Sequence, residues 1–199
     1  GGSMDPNLVM NRLMRLVRLD TSVFDEVRDD VNELVPALVV ALAASLLAGL
    51  GATLFWQFNF DFRPDNVWLN TFILGGVFMA ALYAAWVLVV YVMLVQVYKA
   101  SADVQSLFRT MGYGAWPLAL SVLMFIPVLY PVFAIGSVVL LFVMSIYAAQ
   151  AVTNADSTQV VMANVVGLAL WVLVLSIIAF SSDSTIIGAG LFSILTQIP

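Results

Sequence analysis

The chain has 199 residues, of which 63% are hydrophobic and only 10% are charged, and its formal net charge at pH 7 is −5. A soluble domain is typically about 45–50% apolar and about 25% charged, so this composition excludes a water-soluble fold. Cysteine and histidine are both absent, which excludes disulfides, thiolate chemistry, imidazole bases and the usual zinc sites. The seven basic residues form no electrostatic track for nucleic acid.

The amino-terminal segment predicts a helix on the membrane surface. Residues 1–3, Gly-Gly-Ser, are typical of a tag-cleavage remnant, which predicts that the natural chain begins at Met4. In residues 7–19, leucines and valines recur at helical spacing, and arginines occupy every third position from Arg12 to Arg18. This pattern predicts an amphipathic helix in the headgroup layer, with its arginines facing anionic lipid.

A second short amphipathic helix is expected in residues 21–34. Its apolar face begins at Phe24, and its other face carries a cluster of charges that includes Asp29 and Asp30. An acidic surface of this kind cannot enter lipid. It is therefore predicted to face water or another protein.

Residues 35–180 are predicted to form about five membrane spans, so the expected fold is an all-α polytopic bundle with amphipathic amino-terminal helices. The spans are expected at residues 35–56, 68–98 and 159–180, with two more between residues 116 and 151. That last stretch is barely long enough for two crossings of a hydrocarbon core about 30 Å thick, so a re-entrant hairpin is the alternative. Residues 181–199 are predicted to form an interfacial or re-entrant tail.

Small residues four positions apart predict close packing of the first two spans, because they let helix backbones approach each other. The residues are Ala41, Ser45 and Gly49 in the first span, and Gly76, Ala80 and Ala84 in the second.

The distribution of lysine and arginine predicts the orientation. Four basic residues of the amino-terminal segment fall on the same side as Lys99 and Arg109, against Arg63 alone on the other side. The amino terminus is therefore expected in the cytoplasm and the carboxyl terminus outside it.

The expected spans contain no ionisable residue, and this argues against an enzyme because buried charge in a membrane usually marks function. No nucleophilic triad, nucleotide loop, cofactor site or metal site is expected. The polar residues inside the spans are expected mainly to form hydrogen bonds between helices.

One motif goes beyond general membrane chemistry. Residues 108–117 read Phe-Arg-Thr-Met-Gly-Tyr-Gly-Ala-Trp-Pro and pass from a polar segment into an apolar one through Gly-Tyr-x-x-x-Pro. With the five spans, this segment resembles the Yip domain family of Ypt/Rab GTPase-interacting membrane proteins, whose members share this entry to the third span. Residues 24–27, Phe-Asp-Glu-Val, resemble the Phe-x-x-Val/Ile element of prokaryotic members. The Asp-Leu-Tyr-Gly-Pro motif of eukaryotic members is missing, so the resemblance implies a bacterial or archaeal member.

The resemblance implies a non-catalytic scaffold or adaptor that organises partner proteins or lipids at the cytoplasmic face. Its partners would be membrane lipids and a protein, and a homo-oligomer is compatible with it. The expected contact residues are Phe24, Asp29, Asp30, Phe108, Arg109, Gly112, Tyr113 and Pro117. A plain span-entry turn is the structural alternative for the Gly-Tyr-x-x-x-Pro segment.

Two other functions stay open from the sequence. A small oligomeric transporter or channel is the main alternative, with Gln96, Gln150 and Asn164 lining a polar path. A lipid-modifying enzyme is the third, and it would depend on the carboxylates of Asp29 and Asp30.

Overall fold

The chain is a bundle of helices, seen in a computed structural model that describes residues 4–59, 61 and 66–181. These residues contain seven α-helices and no β-strand, which confirms the predicted all-α membrane bundle. The predicted tag remnant and residues 182–199 of the predicted tail lie outside the described residues. The helices are α1 (Pro6–Val17), α2 (Ser22–Arg28), α3 (Leu34–Asn59), α4 (Gly75–Val92), α5 (Val104–Tyr113), α6 (Tyr130–Gln150) and α7 (Ser157–Ser181).

Four helical stretches within the described residues are long and apolar enough to cross a membrane, with mean hydropathy between 2.3 and 2.5. They are Val31–Asn59, Trp68–Val97, Tyr130–Gln150 and Ser157–Ser181. The second includes α4 and the π-helical turns that flank it. Such stretches become helical because hydrocarbon offers no partners to backbone N–H and C=O groups. The chain is therefore a multi-pass membrane protein.

The segment expected as the third span differs from a regular helix. Trp116–Phe125 forms a 3-10 helix, which at about 2.0 Å per residue covers only about 20 Å of a core about 30 Å thick. Pro117 lies in its first turn, where a missing N–H costs nothing. Pro127 follows its end and cannot continue the hydrogen-bond pattern of the helix.

This 3-10 segment and the end of α5 nevertheless run along the whole of α3. At one end, Gly112 of α5 lies against Ala37 of α3. At the other end, Nδ2 of Asn59 donates to the carbonyl of Phe125 at 3.1 Å. Ala37 and Asn59 are about 33 Å apart along an α-helix, which is enough to cross the core. The described residues therefore show four stretches able to cross a membrane, and the fifth predicted span stays a prediction.

The first two spans approach most closely at glycines. A Cβ atom added to Gly49 would lie 2.6 Å from the carbonyl oxygen of Phe72, and one added to Gly76 would lie 2.6 Å from Cδ2 of Leu46. Ser45, one turn before Gly49, is buried. Only a residue without a side chain fits where the backbones of α3 and α4 meet.

The predicted packing stripe opens into a cavity beyond these glycines. Ala41 of α3 and Ala80 and Ala84 of α4 line a space of about 280 Å³, together with Tyr83 and Phe108. The two helices therefore diverge from their contact at Gly49 and Gly76, and the alanines lie where α5 closes the gap.

Candidate functional site

The polar residues gather in one layer at the end of the bundle where α3 begins. We call α1, α2, α5 and the connections 98–103 and 151–156 the amino-terminal layer. Nε and Nη2 of Arg109 donate to the carbonyl of Arg28 at 3.0 and 2.6 Å. Nη1 of Arg28 donates in turn to the carbonyl of Ala151 at 2.7 Å. These bonds join α2, α5 and the end of α6, which are far apart in the sequence.

Helix α5 lies where the sequence suggested a polar loop. Asp103 accepts hydrogen bonds from the backbone N–H and the hydroxyl of Ser106, both at 2.9 Å, and so caps the helix. These two bonds lower the pKa of Asp103. The cap allows α5 to form, and α5 brings the Gly-Tyr-x-x-x-Pro segment against α3.

A buried ion pair ties α1 to the first span. Arg12 is 7% exposed and Glu33 is 5% exposed, and Nη1 of Arg12 lies 2.8 Å from Oε1 of Glu33. The other oxygen of Glu33 accepts from the hydroxyl of Tyr113 at 2.6 Å. This buried network (Arg12, Glu33 and Tyr113) joins α1, the 3-10 turn that leads into α3, and α5.

The network corrects two expectations. Arg12 was expected to face lipid headgroups, but it turns inward to a carboxylate. Glu33 belongs to residues 21–34, whose charged face is expected to meet water or another protein, but it is buried at the start of a membrane-spanning stretch. The two residues are buried together because each charge is tolerated in the interior only when an opposite charge neutralises it.

A second cluster holds the corner between α1 and α2 near the surface. Arg15 lies 2.9 Å from Oδ2 of Asp20 and 2.7 Å from Oε1 of Glu26. The hydrogen bond from Arg15 lowers the pKa of Glu26. The bond from Ser22, followed by that from Arg15, lowers the pKa of Asp20.

This corner is expected to loosen in acid. The pKa values of Asp20 and Glu26 are lower in the folded protein than in the unfolded chain, so their stabilisation is complete above about pH 4–5 and is lost as pH falls through the folded values. The effect is small because both groups are near water. Melting temperatures measured from pH 7 to pH 3 should fall less steeply for Glu26→Gln than for the wild type. Equal slopes would contradict the assignment.

Most of the predicted contact residues are interior. Asp29 is exposed, and Asp30 and Phe108 are half-buried. The five buried ones are Phe24, Arg109, Gly112, Tyr113 and Pro117. In this structure they hold α2, α5 and the 3-10 segment in place rather than form an open surface.

The outer surface of the amino-terminal layer is acidic. Asp25 and Asp29 flank Arg28, whose Nη1 and Nη2 lie 3.2 and 3.0 Å from their carboxylates. Both carboxylates are exposed, as are those of Asp103 and Asp156. The hydrogen bonds from Arg28 lower the pKa of Asp29, which keeps it ionised at neutral pH. The surface around Arg28 is therefore acidic, and Lys99 is an exposed basic residue of the same layer.

The residues suggested for a polar path have partners inside the protein. Oδ1 of Asn164 accepts from Nε1 of Trp86 at 3.0 Å, which joins α7 to α4. Nε2 of Gln150 donates to the carbonyl of Ala155 at 3.0 Å. Gln96 is exposed near the end of its span. Asn164 and Gln150 are therefore both hydrogen-bonded within the protein.

Replacing Asn164 by leucine is expected to destabilise the protein by about 1–3 kcal/mol, because it leaves the buried N–H of Trp86 without an acceptor. Thermal unfolding in detergent measures the effect. Adding Trp86→Phe should make the two losses less than additive. Fully additive losses would show that the two residues do not interact. In liposomes, an ion flux that Asn164→Leu abolishes would support the transporter alternative.

Comparison with known proteins finds no relative for this chain. No family model matches it, and neither the curated proteins nor the solved structures give a significant match. The resemblance to the Yip domain family therefore stays a prediction. In the described residues, no group of three or more histidine, cysteine, aspartate or glutamate residues is arranged to hold a metal ion.

Sequence reasoning missed the Arg12–Glu33 pair. The signal was present, because Glu33 is the last charge before a long apolar stretch and Arg12 lies within an amphipathic helix. What was missing was the direction in which α1 folds back, which depends on the turn between α1 and α2.

Proposed function

We propose that this chain is a non-catalytic membrane scaffold that recruits a protein partner through its amino-terminal layer, and that this layer faces the cytoplasm. The orientation rests on the positive-inside rule, since six of the seven basic residues lie in the segments that form the amino-terminal layer or flank it in the sequence. The remaining one, Arg63, belongs to the connection between the first two long spans.

The observation that carries the proposal is the construction of the layer. Three segments distant in sequence are joined by the bonds of Arg28 and Arg109 and by the Arg12–Glu33 pair. Such bonds keep a surface in one conformation, which lowers the entropic cost of binding. The motif that resembles the Yip domain family contributes Tyr113 to this construction.

The charge of the layer indicates the kind of partner. The exposed carboxylates of Asp25, Asp29, Asp103 and Asp156 favour a partner with a basic segment, and opposite charge speeds the encounter. Binding of this kind weakens as salt increases. We therefore propose a soluble or membrane protein that presents lysines or arginines to this surface.

The proposal is tested by crosslinking the protein in its own cells, purifying it in mild detergent and identifying what is retained by mass spectrometry. The test variant is Asp25→Asn with Asp29→Asn, which keeps the shape and removes two charges. The matched control is Asp61→Asn, an exposed residue between the first two long spans. A partner recovered near one-to-one, and lost only in the test variant, is expected. Recovery of lipid and further copies of the chain alone would overturn the proposal.

The orientation has a separate test, which the absence of cysteine makes simple. Gln105→Cys places a thiol at an exposed position of α5, and Asp61→Cys places one at the opposite end of the bundle. A membrane-impermeant maleimide should label the second in intact cells and the first only after lysis. The reverse pattern would place the amino-terminal layer outside the cytoplasm.

A further inference from the structure

A cleft of about 220 Å³ lies between α1, α3 and the 3-10 segment. All the residues that line it are apolar, among them Leu13 of α1, Val39 and Leu47 of α3, and Trp116 and Ala119 of the 3-10 segment. Nε1 of Trp116 is buried and has no hydrogen-bond partner in the described part of the chain. An occupant must therefore be mostly hydrocarbon.

The cleft opens sideways into the bilayer. Val39 and Leu47 are about 12 Å apart along α3, and both are exposed on the outside of the bundle. They belong to the first membrane-spanning stretch, Val31–Asn59. The molecules that surround this face are lipids, so the cleft extends from the end of the span toward the middle of the membrane.

Helix α1 covers the outer end of the cleft and lies at the membrane surface. Its inward face carries Arg12 and Leu16, which are buried. Met10, Met14 and Val17 form a separate stripe that is 60, 49 and 54% exposed. An exposed apolar stripe on an amphipathic helix sinks into the boundary between headgroups and acyl chains.

Arg18 supplies a free positive charge beside this stripe. Arg12 is paired with Glu33, and Arg15 is paired with Asp20, but Arg18 is exposed and forms no ion pair within the described residues. A cation at the headgroup layer attracts the phosphate of an anionic lipid.

We propose that the cleft binds one acyl chain of an anionic, ester-linked glycerophospholipid from the leaflet beside the amino-terminal layer. Its phosphate lies at Arg18, and its acyl chain follows Val39 to Leu47. Helix α1 retains the lipid, which distinguishes this site from ordinary lipid contact along α4 or α7. The site is independent of the proposed protein partner, and either can fail without the other.

The acyl-chain part is tested with the full chain in nanodiscs that contain phosphatidylglycerol with a photoactivatable acyl chain. Ala43 is an exposed residue that lines the cleft, so Ala43→Phe fills the space without disturbing the packed interior. Ala169→Phe on exposed α7 is the matched control. The label is expected on peptides that contain Leu13 and Ala119, and Ala43→Phe should reduce it about tenfold. A label spread evenly over the exposed helices, or unchanged in Ala43→Phe, would overturn the site.

The headgroup part is tested by native mass spectrometry after exchange into mixed phosphatidylglycerol and phosphatidylcholine. The wild type should retain one phosphatidylglycerol, and Arg18→Gln should lose that preference while Lys99→Gln keeps it. Equal retention of the two lipids by the wild type would overturn the anionic assignment. A dimer that retains no phosphatidylglycerol would show that a second copy occupies the cleft and would overturn the proposal.

Discussion

Replacing Glu33 by alanine is expected to lower the free energy of unfolding by up to about 3–5 kcal/mol, because it removes the nearer carboxylate of the buried Arg12 guanidinium and leaves only the partly exposed Glu26, 3.6 Å from Nε. The loss of stability should affect the attachment of α1 first and the whole bundle second. In the described residues, the other ion pairs of α1, from Arg12 to Glu26 and from Arg15 to Asp20 and Glu26, involve partly exposed carboxylates. We therefore expect α1 to separate from the bundle before the spans unfold.

Two measurements check this expectation in detergent. Thermal unfolding measures the stability, and the reactivity of a thiol at the buried position Leu16 measures the release of α1. Leu16→Cys should be protected from a maleimide in the wild-type background and reactive when Glu33→Ala is added. Protection in both backgrounds would show that α1 is held by other contacts.

The matched control removes both charges. In the double variant Arg12→Met with Glu33→Leu, neither charge is buried, so most of the lost stability should return. If the double variant were as unstable as Glu33→Ala, the ion pair would not be the cause. Tyr113→Phe removes one hydrogen bond and keeps the charges paired, so a smaller loss of about 1–3 kcal/mol is expected.

Replacing Gly112 by alanine is expected to destabilise the protein by about 1–3 kcal/mol through overpacking. A Cβ atom at this position would lie 2.7 Å from the carbonyl oxygen of Ala37 and 2.8 Å from its Cβ. Neither atom is at the end of a flexible side chain, so α5 must move away from α3. That movement would also pull the hydroxyl of Tyr113 away from Glu33.

Gly136 in α6 is the control, because an added Cβ there meets nothing within 4 Å. Gly136→Ala is expected to be neutral or to stabilise the helix by up to about 1 kcal/mol through its higher helix propensity. Melting temperatures of the two variants should therefore move in opposite directions or differ clearly. Similar shifts would mean that Gly112 is not needed for close packing, and the Gly-Tyr-x-x-x-Pro pattern would lose its physical explanation.

The long spans could be predicted from sequence because their cause is local. A run of apolar residues in hydrocarbon must satisfy its own backbone, so α3 and α7 appear within about three residues of their expected bounds. The segment expected as the third span differs, because it forms a short 3-10 helix that ends before Pro127 and lies along α3.

The candidate site depends on contacts between segments that are distant in the sequence. The periodicity of apolar residues does not predict such contacts. Arg12, Arg15 and Arg18 look equivalent in the sequence, yet the first is buried, the second bridges to α2 and the third is free. Their roles are decided by where Glu33 and Glu26 lie when α1 folds back on the bundle.

The sequence by itself determined that this chain is helical and membrane-embedded, because its composition leaves no other way to satisfy the backbone and hide the apolar surface. Only the tertiary structure decided that Gly112 and Tyr113 are interior contacts and that the acidic residues around Arg28 form the outer surface. The physical reason is that a buried charge or a close backbone approach needs a specific partner. Those partners come from parts of the chain that meet only after folding.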